Sequence, residues 1–307
     1  MSGTTIPLWK RTALQAYYYA TYRGRRRHIL RAAAAGKAPV GVILFHRVAD
    51  DNATDWTTPT ADFVHGIHWL REHFELVSLA ETQRRIRCRC NSRPSLSITF
   101  DDGYADNCRT ALPLLIEKRI PCTYFVTASA VLEGRPFEHD LKMGNRFEPN
   151  TIEQLRQVSR AGIEIGAHGR THADLGPAAG RARILDELLG ARRELESALG
   201  QVVRYFAFPY GQYENLSIQA FHLAREAGYE GVCSAYGGWN FPGDDAFHLQ
   251  RRGVDGPLLR LKNTALWDHR RRGVRRFEFA DQIPPAACPA AVVLPCLGLE
   301  PSDTLTT

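Results

Sequence analysis

Ser97-Ile-Thr-Phe-Asp-Asp-Gly-Tyr104 is an apolar, strand-like run that ends in two adjacent carboxylates and a glycine. Side chains of a strand alternate between its faces, so Asp101 and Asp102 cannot reach one pocket while the strand stays regular. If both serve one site, the strand must stop there, and Gly103 supplies the backbone freedom for the exit. Two carboxylates at a strand end can divide labour, one holding a cation and the other moving a proton. Asp-Gly is also a common turn dipeptide. This stretch alone does not separate the two readings.

A second group, His168-Gly-Arg-Thr-His172, follows the strand-like Ile163-Glu-Ile-Gly-Ala167. Histidines four apart converge in a helix or a tight turn, and neutral imidazole is a good ligand for Zn, Fe, Co or Ni. The chain has 11 histidines, so chance pairs are expected. His65, His68 and His73, on a stretch that predicts helix, are of that kind. The pair at 168 and 172 differs because it stands at a strand end. Together with Asp102 it would offer two nitrogens and one carboxylate, leaving positions open for water and substrate. A closed structural zinc site would want a fourth ligand, usually cysteine, and none is placed for it. A third group, Phe206-Ala-Phe-Pro-Tyr-Gly211, is an ordinary strand exit when taken alone. In a site, a turn fixed by Pro209 could aim the backbone N–H of Tyr210 at a developing oxyanion.

The elements that must position these groups alternate regularly. Strands are expected at Val40–Phe45, Leu76–Leu79, Ser95–Phe100, Thr123–Thr127, Ile163–Ala167, Val202–Phe208, Gly231–Ala235 and His248–Val254. Helices are expected from Thr60, as cap, to Phe74, then at Asp106–Arg119, Thr151–Arg160, Arg181–Leu199 and Asn215–Ala227. Such alternation indicates parallel strands with crossover helices in one α/β domain. Closed into a barrel, it would gather functional residues at the strands' C-terminal ends. His46, Asp101, His168 and Pro209-Tyr210 all lie just past such an end.

Composition sets the outer limits. Of 307 residues, 44% are hydrophobic and 23% charged, enough to build a core. Basic residues outnumber acidic ones 39 to 33, and the excess gathers at Arg23–Arg31, Arg84–Arg89 and Arg270–Arg276. Nothing interleaves aromatics and bases as a nucleic-acid module would, so no nucleic-acid partner is expected. Seven scattered cysteines show neither a CxxC pair nor a disulfide framework, which fits a reducing compartment. Leu8–Tyr22 is interrupted by Lys10, Arg11 and Gln15 and does not read as a signal peptide. No run of about 18 apolar residues is present to span a bilayer. The expected location is therefore cytoplasmic, at most at the inner face of a membrane. Tyr17, Tyr18, Tyr19 and Tyr22 beside the arginines could form an interfacial helix or one docked on the main domain. The expected organisation is a basic N-terminal segment at 1–38, one catalytic domain at 39–265 and an irregular tail at 266–307.

Thr99-Phe-Asp-Asp-Gly103, His168-x-x-x-His172 and Phe206-x-x-Pro-Tyr-Gly211, in this order on an alternating α/β chain, resemble the polysaccharide deacetylase family. This is the NodB-homology or carbohydrate esterase family 4 group, and the likeness spans roughly residues 40 to 255. The resemblance implies a distorted (β/α)7 barrel and a metal-dependent N- or O-deacetylase acting on an acetylated sugar. It implies Asp101 as general base, Asp102, His168 and His172 as ligands of a divalent cation, and Tyr210 as the oxyanion's amide donor. Zn2+ is the first expectation for the cation, with Co2+, Ni2+ or Fe2+ as alternatives.

Two positions depart from the family pattern. Ala207 stands where the family has an arginine that braces the catalytic aspartate; Arg251 and Arg252 are the candidates to replace it. Arg251 in turn stands where the family's acid histidine is expected. Phe247-x-Leu249-x-Arg251 looks more like the exopolysaccharide and biofilm deacetylase branch, in which a first-strand histidine faces the site. The match is His46, expected as acid or activator; otherwise it is a strand-end histidine bonded to Asp50 or Asp51. The expected partner is a carbohydrate, in a polysaccharide, an oligosaccharide or a lipid-linked glycan. The rival from another class is a catalytically silent glycan-binding protein that keeps the metal site.

Overall fold

The strand Val40–Phe45 pairs in parallel with Ser95–Phe100, which pairs in turn with Cys122–Val126. The parallel ladder continues through Glu164–Ala167, Tyr205–Ala207, Gly231–Cys233 and His248–Leu249. Arg252–Gly253 then returns to pair in parallel with the first strand, at Ile43 and Leu44. These relations come from a computed structural model that describes residues 8–270 and 274–279. The result is a nearly closed, barrel-like sheet of mostly parallel strands. Trp239–Asn240 adds an antiparallel segment on the first strand.

Alternation along the strands sorts their side chains into two layers. Val42, Phe125, Tyr205, Ala207, Cys233 and Leu249 face inward and form one buried cluster with Leu79 and Ile86. Ile43, Phe45, Ile98, Phe100, Tyr124 and Val126 belong to the larger core shared with the outer helices. Helix Thr60–His73 buries Phe63, Ile67 and Leu70 in that core, whereas His65 and His68 are exposed.

Several boundaries differ from expectation for local reasons. Pairing stops at Glu75–Leu76, because Ser78 accepts a hydrogen bond from the Glu81 N–H and starts a helix at Leu79–Arg87. That helix plugs the strand-start end of the barrel. Its Gln83 donates to the Glu230 and Ala246 carbonyls and accepts from the Tyr205 hydroxyl. Arg84 and Arg85 of the basic run pair with Glu81 on the same helix. Pro59, not Thr60, is the cap of helix Thr60–His73, and Asp50 Oδ1 accepts the Thr60 N–H at 2.9 Å. The segment 106–119 divides into a short turn at Ala105–Cys108 and a helix at Ala111–Glu117. The expected strand His248–Val254 is split, with Gln250 and Arg251 between its two ladders.

Helix Leu8–Ala34 lies against the Leu258–Ala265 helix and buries Tyr18, Arg25, Ile29 and Ala33. No helix among the described residues is long and apolar enough to cross a membrane. Most of the tail expected at 266–307 lies outside the described residues.

Candidate metal and proton-transfer site

Thr99 and Asp101 are two residues apart, Asp101 directly after the strand that holds Thr99, and Arg251 meets both on its inward side. The Arg251 guanidinium donates to Asp101 Oδ1 at 2.6 Å and Oδ2 at 2.8 Å, to Thr99 Oγ1 at 3.1 Å, and to the Ser234 carbonyl at 2.8 Å. Arg251 is fully buried over the Phe125 ring. This two-pronged contact is the strongest geometry available to a guanidinium and a carboxylate. Ala207 lies in the same inward cluster as Phe125, Cys233 and Leu249. The arginine missing at 207 is therefore replaced from the break in the last strand, by Arg251 and not Arg252.

Asp102 would face outward if the strand continued. Instead the strand ends at Phe100, Asp102 takes φ +72° and Gly103 φ +102°. The Gly103 N–H closes on the Asp101 carbonyl at 3.0 Å, and a Cβ at 103 would sit 3.2 Å from Val126. The turn carries the Asp102 carboxylate round to the same end of the barrel. His168 and His172 meet it there, with Nε2 atoms 3.4 Å and 3.3 Å from Asp102 Oδ1.

These three residues fit a cation. Asp102 Oδ1 is buried without a hydrogen-bond partner, an expensive state for a carboxylate oxygen unless something else meets it. The ligating atoms of Asp102, His168 and His172 all lie within 4.8 Å of one another. His168 Nδ1 sits 2.9 Å from the Ala207 carbonyl, which requires the proton on Nδ1 and leaves the Nε2 lone pair facing Asp102. The set of two imidazoles and one carboxylate suits zinc-like divalent ions.

The histidine pair lies on a loop, not a helix. His172 has φ +62°, and Glu187, fully buried, holds the loop by accepting the N–H groups of Arg170 at 2.8 Å and Thr171 at 3.0 Å and the Thr171 hydroxyl. Glu187 sits in a π-helical turn at Asp186–Gly190, within the segment expected as one regular helix. Tyr210 has φ +59° after Pro209; its exposed ring lies edge-on to that of His172, with centroids 5.0 Å apart. Asp102, His172 and Tyr210 are three of only six non-glycine residues with positive φ among those described. Backbone strain of this kind gathers at functional sites.

His46, half-buried, completes the group from the first strand. Its Nδ1 lies 2.7 Å from Asp255 Oδ2, and its backbone N–H donates to Asp255 Oδ1 at 2.9 Å. The partner is thus Asp255; Asp50 holds Thr60, and Asp51 pairs with Arg47. Burial works against charge on His46, but Asp255, with Asp102 and Asp101 behind it, outweighs that and raises its pKa to about 9. Burial likewise opposes ionisation of Asp101, yet Arg251, His168 and His46 hold its carboxyl below the ordinary value. Asp102 is held well below it against burial by His168 and His172.

Residues 89–232 match the family model described as polysaccharide deacetylase. By that match, residues 89–232 form a polysaccharide deacetylase domain. A putative polysaccharide deacetylase, YxkH of Bacillus subtilis, is 22% identical over 196 residues. The match covers 63% of this chain and 63% of that relative's length. The solved structure of IcaB from Ammonifex degensii is similar with a TM-score of 0.63 at 24% identity, covering 75% of this chain and 97% of that one. The Streptococcus pyogenes deacetylase PplD, described in complex with acetate, is similar with a TM-score of 0.61 at 18% identity, covering 74% and 98%. At these identities the structures show the shared fold, a nearly closed α/β barrel.

The deacetylase match spans Asp101, Asp102, His168, His172 and Tyr210, and stops short of His46, Arg251 and Asp255 at its two sides. Two site residues were missing from the sequence reading. Asp255 follows the split strand and carried no motif. His139 lies on a short helix, Glu138–Lys142, in a stretch to which no element was assigned. Its Nε2 is 3.8 Å from Asp102 Oδ2 and 3.0 Å from the Tyr104 hydroxyl, and its ring lies beside those of His172 and Trp56.

Proposed function

We propose that the protein is a metal-dependent deacetylase that hydrolyses the acetyl group of an N-acetylated, or O-acetylated, sugar in a polysaccharide, oligosaccharide or lipid-linked glycan. The observation that carries this reading is the division of the two carboxylates. Asp101 is clamped by Arg251, while Asp102 turns an unpartnered oxygen to two imidazoles.

Asp102, His168 and His172 would hold the divalent ion, Zn2+ by the preference of the donor set. When bound, it supplies Lewis acidity towards the acetyl carbonyl and towards water. Asp101, kept ionised by Arg251, accepts the proton of the attacking water. The new C–O bond forms as the carbonyl becomes an oxyanion, which the Tyr210 backbone N–H stabilises. His46, held by Asp255, gives its proton to the leaving nitrogen or oxygen as that bond to carbon breaks. Acetate and a free amine or hydroxyl result. Acetate is also the molecule described with the similar PplD.

Tyr210, exposed beside the His172 ring, is placed to meet a sugar ring, and His139 packs against both His172 and Trp56. We assign the protein to the cytoplasm; exposed, unpaired Cys88 and Cys90 support a reducing compartment. The test is acetate release from N-acetylglucosamine oligomers and other acetylated glycans, with and without chelator. Stoichiometric metal binding with no acetate from any glycan would favour the silent binding protein instead.

A further inference from the structure

The outward face of the Leu8–Ala34 helix belongs to no part of the site. We infer that it is a docking surface for anionic phospholipid bilayers. The first acidic residue of the chain is Asp50, so the whole helix carries positive charge alone. One face buries Tyr18, Arg25, Ile29 and Ala33. Arg25 is used there: it donates to the Asn263 and Leu266 carbonyls and to Asn263 Oδ1. The other cations, Lys10, Arg11, Arg23, Arg26, Arg27 and Arg31, are exposed, and none forms a salt bridge with a carboxylate among the described residues.

Charge alone would suit any polyanion. The apolar groups on the same face favour a bilayer. Trp9, Arg23, Arg27 and Leu30 recur at the spacing of one helical stripe, opposite Tyr18, with Tyr19 beside them. Trp9 is 69% exposed, Tyr19 70% and Leu30 48%. Tryptophan and tyrosine between arginines are the groups that settle at the headgroup level.

The surface continues into a groove of about 320 Å³ lined by Arg26, Ile29, Leu30, Phe74, Arg93 and Leu266. Arg71 also lines it, as do Glu72 and Glu75, the latter paired with Arg85. Phe74 precedes the short strand at Glu75, and Pro94 of the groove precedes the strand at Ser95. The groove is thus at the strand-start end of the barrel, opposite the strand ends that carry Asp101 and His168. The groove end of the docking surface therefore lies away from the site.

The experiment is co-sedimentation of the full chain with vesicles of phosphatidylcholine alone and of equal phosphatidylcholine and phosphatidylglycerol. Binding to the anionic vesicles only, lost as salt rises, is expected. The triple variant Arg23→Gln/Arg27→Gln/Arg31→Gln should weaken it about 100-fold, on the scale of one elementary attraction per arginine. Trp9→Ala should weaken it further. Circular dichroism melts establish that the variants fold, independently of whether any deacetylase activity is found. The proposal is overturned by equal binding to neutral vesicles, by no binding to anionic ones, by undiminished binding of the folded triple variant, or by nucleic acid displacing the protein from vesicles at equal phosphate concentration.

Discussion

Arg251 reaches Asp101 from 150 residues further along the chain and grips both of its carboxylate oxygens, at 2.6 Å and 2.8 Å. Both side chains are almost fully buried, so neither can turn to water when the other is lost. Arg251→Met should therefore cost about 3–5 kcal/mol in urea unfolding, the usual penalty for orphaning one member of a buried pair. Arg251→Lys should recover only part of it, because an ammonium cannot span both oxygens. A stability unchanged in Arg251→Met would show that the pair contributes nothing.

The His46–Asp255 pair sets a pH limit. His46 has a folded pKa of about 9, above its ordinary value, so its contribution to stability is full below about pH 6.5 and is lost as pH rises through about 9. Acetate release, if His46 is the acid, should fall over the same alkaline range. Asp255→Asn removes the main attraction and should move that limb towards the ordinary imidazole value. A pH–rate profile identical in the variant would remove His46 from the proton path.

Chelation should abolish acetate release and lower the melting temperature, and zinc should restore both. Zinc present at about 100 times its dissociation constant would stabilise the fold by about 2.7 kcal/mol. Asp102→Asn and His172→Ala should lose this zinc-dependent shift in thermal scans. Asp101→Asn should keep it while losing activity, because its oxygens face Arg251 and not the histidines.

Glu187 touches neither the cation site nor a reacting group, yet it gathers the N–H groups of Arg170 and Thr171 between the two histidines. Glu187→Ala should lower zinc affinity about 10–100-fold, as loss of a residue supporting metal ligands does. Equilibrium dialysis with radioactive zinc would measure it. Glu187→Gln, which keeps one acceptor oxygen, should retain more affinity than the alanine variant. Equal affinity in all three proteins would reduce Glu187 to a loop anchor without effect on His172.

The sequence by itself determined the alternating α/β order and the strand ends at which the candidate set Asp101, Asp102, His168, His172 and Tyr210 stands. Each of these is local: a period-two apolar run stops at a glycine or proline turn, and the chemical residues follow within five positions. Tertiary structure alone decided which groups hold them. Asp255, the partner of His46, is 209 positions away, and Arg251 approaches Asp101 only because the last strand breaks and closes the barrel onto the first. Such pairings depend on which strands become neighbours, and a linear pattern carries no trace of that. The same holds for the N-terminal helix. Its charge was legible in the sequence, but whether Arg25 or Arg23 turns inward was settled by the surface it packs against. Burial, not residue type, made one a structural anchor and left the other facing solvent.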